Sequence, residues 1–135
     1  MTGLLDKIEA AWKQCSNVSE AKCFKETQLK EGAFDMRARG TRIVPLRQIV
    51  GSVGRYHDFD RKFRLRRHLS SDRFEHVKDL MQGGVSFPPV KLYQINDEYY
   101  VLDGNHRVSA AKELGYQYIE ARIVEFLPSK SQAQV

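Results

Sequence analysis

Apolar residues at helical spacing open the chain: Leu4, Leu5, Ile8, Ala11, Trp12 and Cys15 form one stripe over residues 2–15. Asn17 or Ser19 then caps a second expected helix, which runs to about Leu29 and stops near Gly32. Its apolar face is thin, made of Val18, Ala21, Cys23 and Phe24. The period then changes. Thr41 to Leu46 reads as a strand with Pro45 near its end, which suits a sheet edge or a turn. Residues 51–57 form a glycine-punctuated loop. Asp72 with Glu75 resembles a capping box, Phe74, Val77, Leu80 and Met81 supply a helical stripe, and Gly83-Gly84 ends it. Pro88-Pro89 leads into a strand over residues 90–95, and Asn96-Asp97 turns it into a second over residues 99–102. Val108, Ala111 and Leu114 mark a short helix closed by Gly115, and residues 118–126 form a last strand before a polar end. The order is helical arm, strand, loop, helix, hairpin, helix, strand. It predicts a small mixed α/β (α+β) domain over residues 37–127, an N-terminal helical arm over 1–36 and a polar tail over 128–135.

A chain of 135 residues with 41% hydrophobic content fits one compact unit and an appendage. No apolar run is long enough to span a membrane and no secretory core precedes the first helix, so the expected location is cytoplasmic, with no membrane partner. Cys15 and Cys23 lack the companions of a zinc site and are expected as free thiols. The arm, with its Leu and Trp stripe, packs on the main domain or on a second copy, giving a homodimer through the arm.

Net charge is +5, and its distribution changes the picture. Residues 37–68 hold ten Lys or Arg against Asp58 and Asp60, a local balance of +8, while the rest of the chain carries −3. Arg61, Lys62, Arg64, Arg66 and Arg67 are its densest part. Such a run suits contact with DNA phosphates, and it equally suits a solvated face with partial ion pairing.

The sharpest chemical signal is Asp103-Gly104-Asn105-His106-Arg107, where a strand turns directly into a helix. A helix N-terminus presents unpaired N–H groups and the positive end of a dipole, so Arg in the first turn is unfavourable unless an anion docks there. Phosphate resolves that conflict: Gly104 allows close approach, and His106 and Arg107 aim positive charge at it. Alternatively Arg107 is a surface residue paired with Asp103 or Glu113. Asn105 either caps the helix or touches phosphate, and Asp103 either anchors the turn or ligates Mg²⁺. In Tyr56-His57-Asp58-Phe59-Asp60 the imidazole and two carboxylates could build a metal-dependent nuclease or simply a solvated loop, and Arg55 and His57 could close over a nucleotide.

The order of elements, with Gly84-Val85-Ser86-Phe87-Pro88-Pro89-Val90 followed by Asp103-Gly104-Asn105-His106-Arg107, resembles the ParB/sulfiredoxin superfamily over about two-thirds of the chain. The first segment resembles a nucleotide-contact motif of ParB proteins, with Gly84 and Pro89 its matching positions. The second resembles their triphosphate-holding motif. The resemblance implies a nucleoside triphosphate, CTP or ATP, bound with Mg²⁺ by these residues, and a DNA-linked regulatory protein of the transcription-regulator kind. Sulfiredoxins carry a catalytic cysteine where this chain has Asn105, so sulfinic-acid reduction is not expected. Free-serine kinases of this fold carry Asp-Gly-His-His-Arg, close to residues 103–107, so an NTPase or an ATP- or ADP-dependent small-molecule phosphotransferase is the alternative. Its acceptor-orienting carboxylate would fall to Asp58 or Asp60, in a shifted position. Nine residues follow Phe126, so the helix-turn-helix domain and third motif of partition proteins are not expected here.

Overall fold

The computed structural model describes residues 21–54, 59 and 72–129. Strand β1 (Lys22–Cys23) enters helix α1 (Phe24–Glu31), then the long strand β2 (Ala33–Pro45), a 3₁₀ turn (Leu46–Gln48) and β3 (Ile49–Ser52). Helix α2 (Asp72–Gln82), the hairpin β4 (Val90–Ile95) and β5 (Glu98–Asp103), helix α3 (Asn105–Glu113) and β6 (Tyr118–Pro128) complete the order. The expected helical stripe over residues 2–15 lies outside the described residues.

The strands form one sheet in the order β1-β3-β5-β4-β6-β2. The hairpin β4–β5 is antiparallel, with Ile95 opposite Glu98 and Asn96 in the left-handed region at φ 54°. Parallel pairings join β1 to β3, β3 to β5 and β4 to β6, and β2 returns antiparallel along β6. Alternation along the strands gives the sheet two apolar faces. On one, Val90, Leu92, Val101, Ala121 and Ile123 pack with Val108 and Ala111 of α3 and with Met81 of α2. On the other, Tyr93, Ile95, Tyr100, Val124 and Phe126 pack with Phe24 of α1. Helices therefore cover both faces, and the mixed α/β class read from the pattern is the class observed.

Four local expectations are corrected. The strand expected from Thr41 begins at Ala33, and Leu46 belongs to the 3₁₀ turn instead. A solvent-facing edge strand tolerates Arg37, Arg39 and Gly40, which hide its period. The second helix begins only at Phe24, because Lys22 and Cys23 pair with Gly51 and Ser52. Gly51 and Ser52, expected to open a glycine loop, instead end strand β3, which pairs with both β1 and β5. At Gly51 a Cβ would stand 2.2 Å from the Lys22 carbonyl oxygen, so only glycine permits this approach of β1. Cys23 is disulfide-bonded, against the expectation of a free thiol, and the other half of the bridge lies outside the described residues.

The elements that frame the turn at Gly104 behave as their sequence demands. Helix α2 ends with Val85 N–H donating to the Leu80 carbonyl and Gly84 N–H to the Met81 carbonyl. Helix α3 ends alike, through Tyr116 N–H to Ala111 and Gly115 N–H to Lys112. Lys78 and Glu113 join the two helices at 3.0 Å, and that hydrogen bond raises the Lys78 pKa. Lys112 Nζ donates to the Ile49 carbonyl at 2.8 Å, tying α3 to the start of β3.

Candidate functional site

Strand β5 delivers Asp103 to the sheet end, and Gly104 turns the chain into α3 at φ 109° and ψ 25°. The first helical hydrogen bond runs from Val108 N–H to the Gly104 carbonyl, so the preceding amides have no partner within the helix. Gly104, the N-cap residue, has no side chain to cap them. Asn105, expected as cap or phosphate contact, has its Oδ1 2.9 Å from Ser52 Oγ at the end of β3, where it receives the hydroxyl hydrogen bond. This links the turn to the strand behind it.

Arg107 folds back over Gly104. Its Nη1 donates to the Pro88 carbonyl, its Nη2 lies 3.7 Å from Asp103 Oδ2, and its guanidinium carbon sits 6.0 Å from the Phe87 ring centre. The side chain is 16% exposed, whereas that of Asp103 is 67% exposed. Of the two surface pairings weighed for Arg107, the structure has Asp103; Glu113 pairs with Lys78. The His106 ring stands 6.2 Å from the Phe59 ring and 6.4 Å from that of Phe74, so it packs beside two buried aromatic side chains.

Above this turn opens a cavity of about 320 Å³, lined by Asp103, Gly104, Asn105, His106 and Arg107 with Val77, Phe87 and Pro88 opposite. A second cavity of about 210 Å³ adjoins it, sharing Phe87, Pro88 and Arg107. Its other walls are Met81, Val85, Val90, Tyr116, Tyr118, Ile119 and Glu120. One chamber is polar and dipolar at its base; the other is mostly apolar and aromatic with a carboxylate at its rim. That pairing of chambers suits a ligand with an anionic part and a flat or apolar part.

The structure thus brings residues 103–107 and the segment before β4 together. Within that segment Gly84 closes α2 and Pro89 precedes β4, while Val85, Phe87, Pro88 and Val90 supply the walls. Phe87 is a wall of both cavities. Val77, Tyr116, Tyr118 and Glu120 carried no motif that could have marked them. Arg55, His57, Asp58, Asp60, Arg61, Lys62, Arg64, Arg66 and Arg67 all lie outside the described residues. Among the described residues no three His, Cys, Asp or Glu side chains converge as a metal site, and no helix is long and apolar enough to cross a membrane. Among the described residues Asp103 is the carboxylate that lines this cavity, and it fits Mg²⁺ in the manner in which that ion is commonly held, by one or two carboxylates together with ligand phosphates.

The family model described as the ParB N-terminal domain matches residues 57–135. No curated protein matches the sequence. Among solved structures, a Pnob8-like ParB-N domain aligns with 13% identity and a TM-score of 0.45, over 75% of this chain and 34% of its own. Sulfiredoxin from Arabidopsis thaliana aligns with 20% identity and a TM-score of 0.45, over 70% of this chain and 92% of its own. This chain therefore spans about a third of the first of these proteins and most of the second.

Proposed function

The chain belongs to the ParB N-terminal domain family, and from that premise we propose that it binds a nucleoside triphosphate, CTP or ATP, with Mg²⁺ and acts as a DNA-linked regulatory module. One observation carries this reading: the N-terminal turn of α3 at Gly104, with His106 and Arg107, lines one cavity. Helix N-terminal amides and a guanidinium are groups that receive phosphate oxygens. The apolar chamber beyond Arg107 is the natural seat for the remainder of the nucleotide. When bound, Mg²⁺ would neutralise phosphate charge, with Asp103 the protein group that holds it. On the DNA side, the basic run at residues 61–67 would contact phosphates, giving affinity that falls steeply with salt.

Calorimetric titration of CTP, ATP and ADP with Mg²⁺, on the wild type and on Arg107→Ala, tests the reading. Loss of charge-assisted hydrogen bonds should weaken triphosphate binding by about 10- to 100-fold. Equal binding by the two proteins would overturn the site. Turnover that requires a hydroxyl acceptor would replace the regulatory reading with a small-molecule kinase.

A further inference from the structure

Strand β2 closes one edge of the sheet, and among the described residues its outer side pairs with no other strand. Edges of this length are normally blunted by bulges, proline or charge, because unpaired backbone groups recruit another chain. Here irregularities interrupt the pairing with β6 at residues 33–35 and 38–40, but residues 35–38 run in unbroken register against Leu127, Phe126, Glu125 and Val124. That regular stretch carries Asp35, Met36 and Arg37, with Phe34 before it. Met36 is 66% exposed and Phe34 is 44% exposed, although both are large apolar side chains.

We propose that this stretch is a homodimer contact, in which residues 34–38 of two copies pair antiparallel about a two-fold axis through Met36. The register follows from charge. With Met36 on the axis, Asp35 faces Arg37 of the partner subunit and Arg37 faces Asp35 of the partner subunit, so both ion pairs are attractive. Met36 packs on its own copy at the axis, and Phe34 lies over Ala38 of the partner subunit. Moving the axis to Asp35 sets two carboxylates against each other. Moving it to Arg37 sets two guanidinium groups directly against each other. Of these three registers, the one centred on Met36 sets opposite charges face to face with no like charges opposed. Directly opposed side chains across such a pair stand about 4.5–5.5 Å apart, within ion-pair reach. This inference rests on the sheet edge alone and is independent of the nucleotide reading.

Sedimentation velocity on the full chain, from about 10 μM to about 1 mM, reads the association, since so short a ladder lies at the weak end of interface sizes. The wild type should pass from monomer to dimer across that range. Arg37→Asp, which turns both pairs repulsive, should weaken the dimer about tenfold. Combining Asp35→Arg with Arg37→Asp restores both pairs in reversed order and should restore the dimer. Far-ultraviolet circular dichroism confirms that each variant is folded, and Met36→Lys provides the disruption should Arg37→Asp fail to fold. A wild type that stays monomeric, a dimer indifferent to Arg37→Asp and to Met36→Lys, or a folded double variant that stays monomeric would each overturn the proposal. The second of these would place the contact elsewhere, as in the N-terminal stripe.

Discussion

Gly104→Ala asks the most of the structure, because a single methyl group reports on both the turn and the site. The new Cβ would stand 2.6 Å from Val90 Cγ1, 3.0 Å from Val90 Cβ and 3.2 Å from Arg107 Nη2. Val90 is 1% exposed and sits in the core under α3, so it cannot swing aside into solvent. Holding an L residue at positive φ costs about 1–2 kcal/mol. Forcing a methyl group into a packed wall costs about 1–3 kcal/mol more. The expected loss is therefore about 2–5 kcal/mol, a large share of the roughly 5–15 kcal/mol that holds a domain folded.

Urea unfolding of Gly104→Ala, Val90→Ala and the double variant separates the two contributions. If the clash with Val90 is real, Gly104→Ala should cost only the backbone strain of about 1–2 kcal/mol once Val90 has been truncated. Nucleotide affinity should fall in Gly104→Ala as Arg107 is pushed off its place over the turn. A Gly104→Ala protein within about 0.5 kcal/mol of wild type would refute the close packing of the turn. An equal cost in both backgrounds would refute Val90 as its cause.

Other outcomes follow from the opposite face and the hairpin. Phe24→Ala empties the contact of α1 with Tyr93, Tyr100 and Phe126, whose rings lie 5.0–5.5 Å away, and should cost about 3–5 kcal/mol in urea unfolding. Asn96→Val forces a β-branched residue into left-handed backbone and should cost about 1–2 kcal/mol, whereas Asn96→Gly should be neutral or mildly stabilising, both read from thermal midpoints. Tyr100 is fully buried, with its hydroxyl 2.7 Å from Thr27 Oγ1, and burial pushes its pKa above the ordinary tyrosine range. The unfolded phenol ionises first, so stability is unaffected by this group below about pH 10 and declines as pH rises past it. Phenolate absorbance should show one tyrosine that resists alkali until the protein unfolds, and Tyr100→Phe should lessen the alkaline loss of stability.

Legibility in the sequence followed the strength of local signals. The helix at residues 72–82, the hairpin around Asn96-Asp97 and the last strand each carry a clear period with a stop residue at the end. Strand β2 was shortened because exposed arginines and Gly40 erase alternation at a sheet edge, where only one side of the strand needs a partner. Strand β3 escaped notice because its partners, Lys22–Cys23 on one side and Tyr99–Val101 on the other, are distant in sequence, and no local pattern records them. The site divides in the same way. Residues 103–107 announced themselves by placing cations at a helix start. Phe87, Tyr116, Tyr118 and Glu120 become walls only when α2, the segment before β4 and the start of β6 meet, so their role is a property of the tertiary arrangement.

That arrangement also explains how Arg107 can live at the positive end of a helix. An arginine left in water there gains nothing from the dipole and is free to point away. Here Phe87 and the Pro88 carbonyl take up part of its fork, and the 3.7 Å approach to Asp103 is too long for a hydrogen bond and open to solvent. The contact with Pro88 therefore fixes the plane of the guanidinium, and on the reading proposed above the longer approach to Asp103 is the one that an anion would displace. A flexible ammonium could supply the same charge without that fixed plane, since lysine lacks the forked donor geometry. The segment before β4 is in this sense the scaffold that aims Arg107, which is why the two motifs make one site although fourteen residues lie between Pro88 and Asp103.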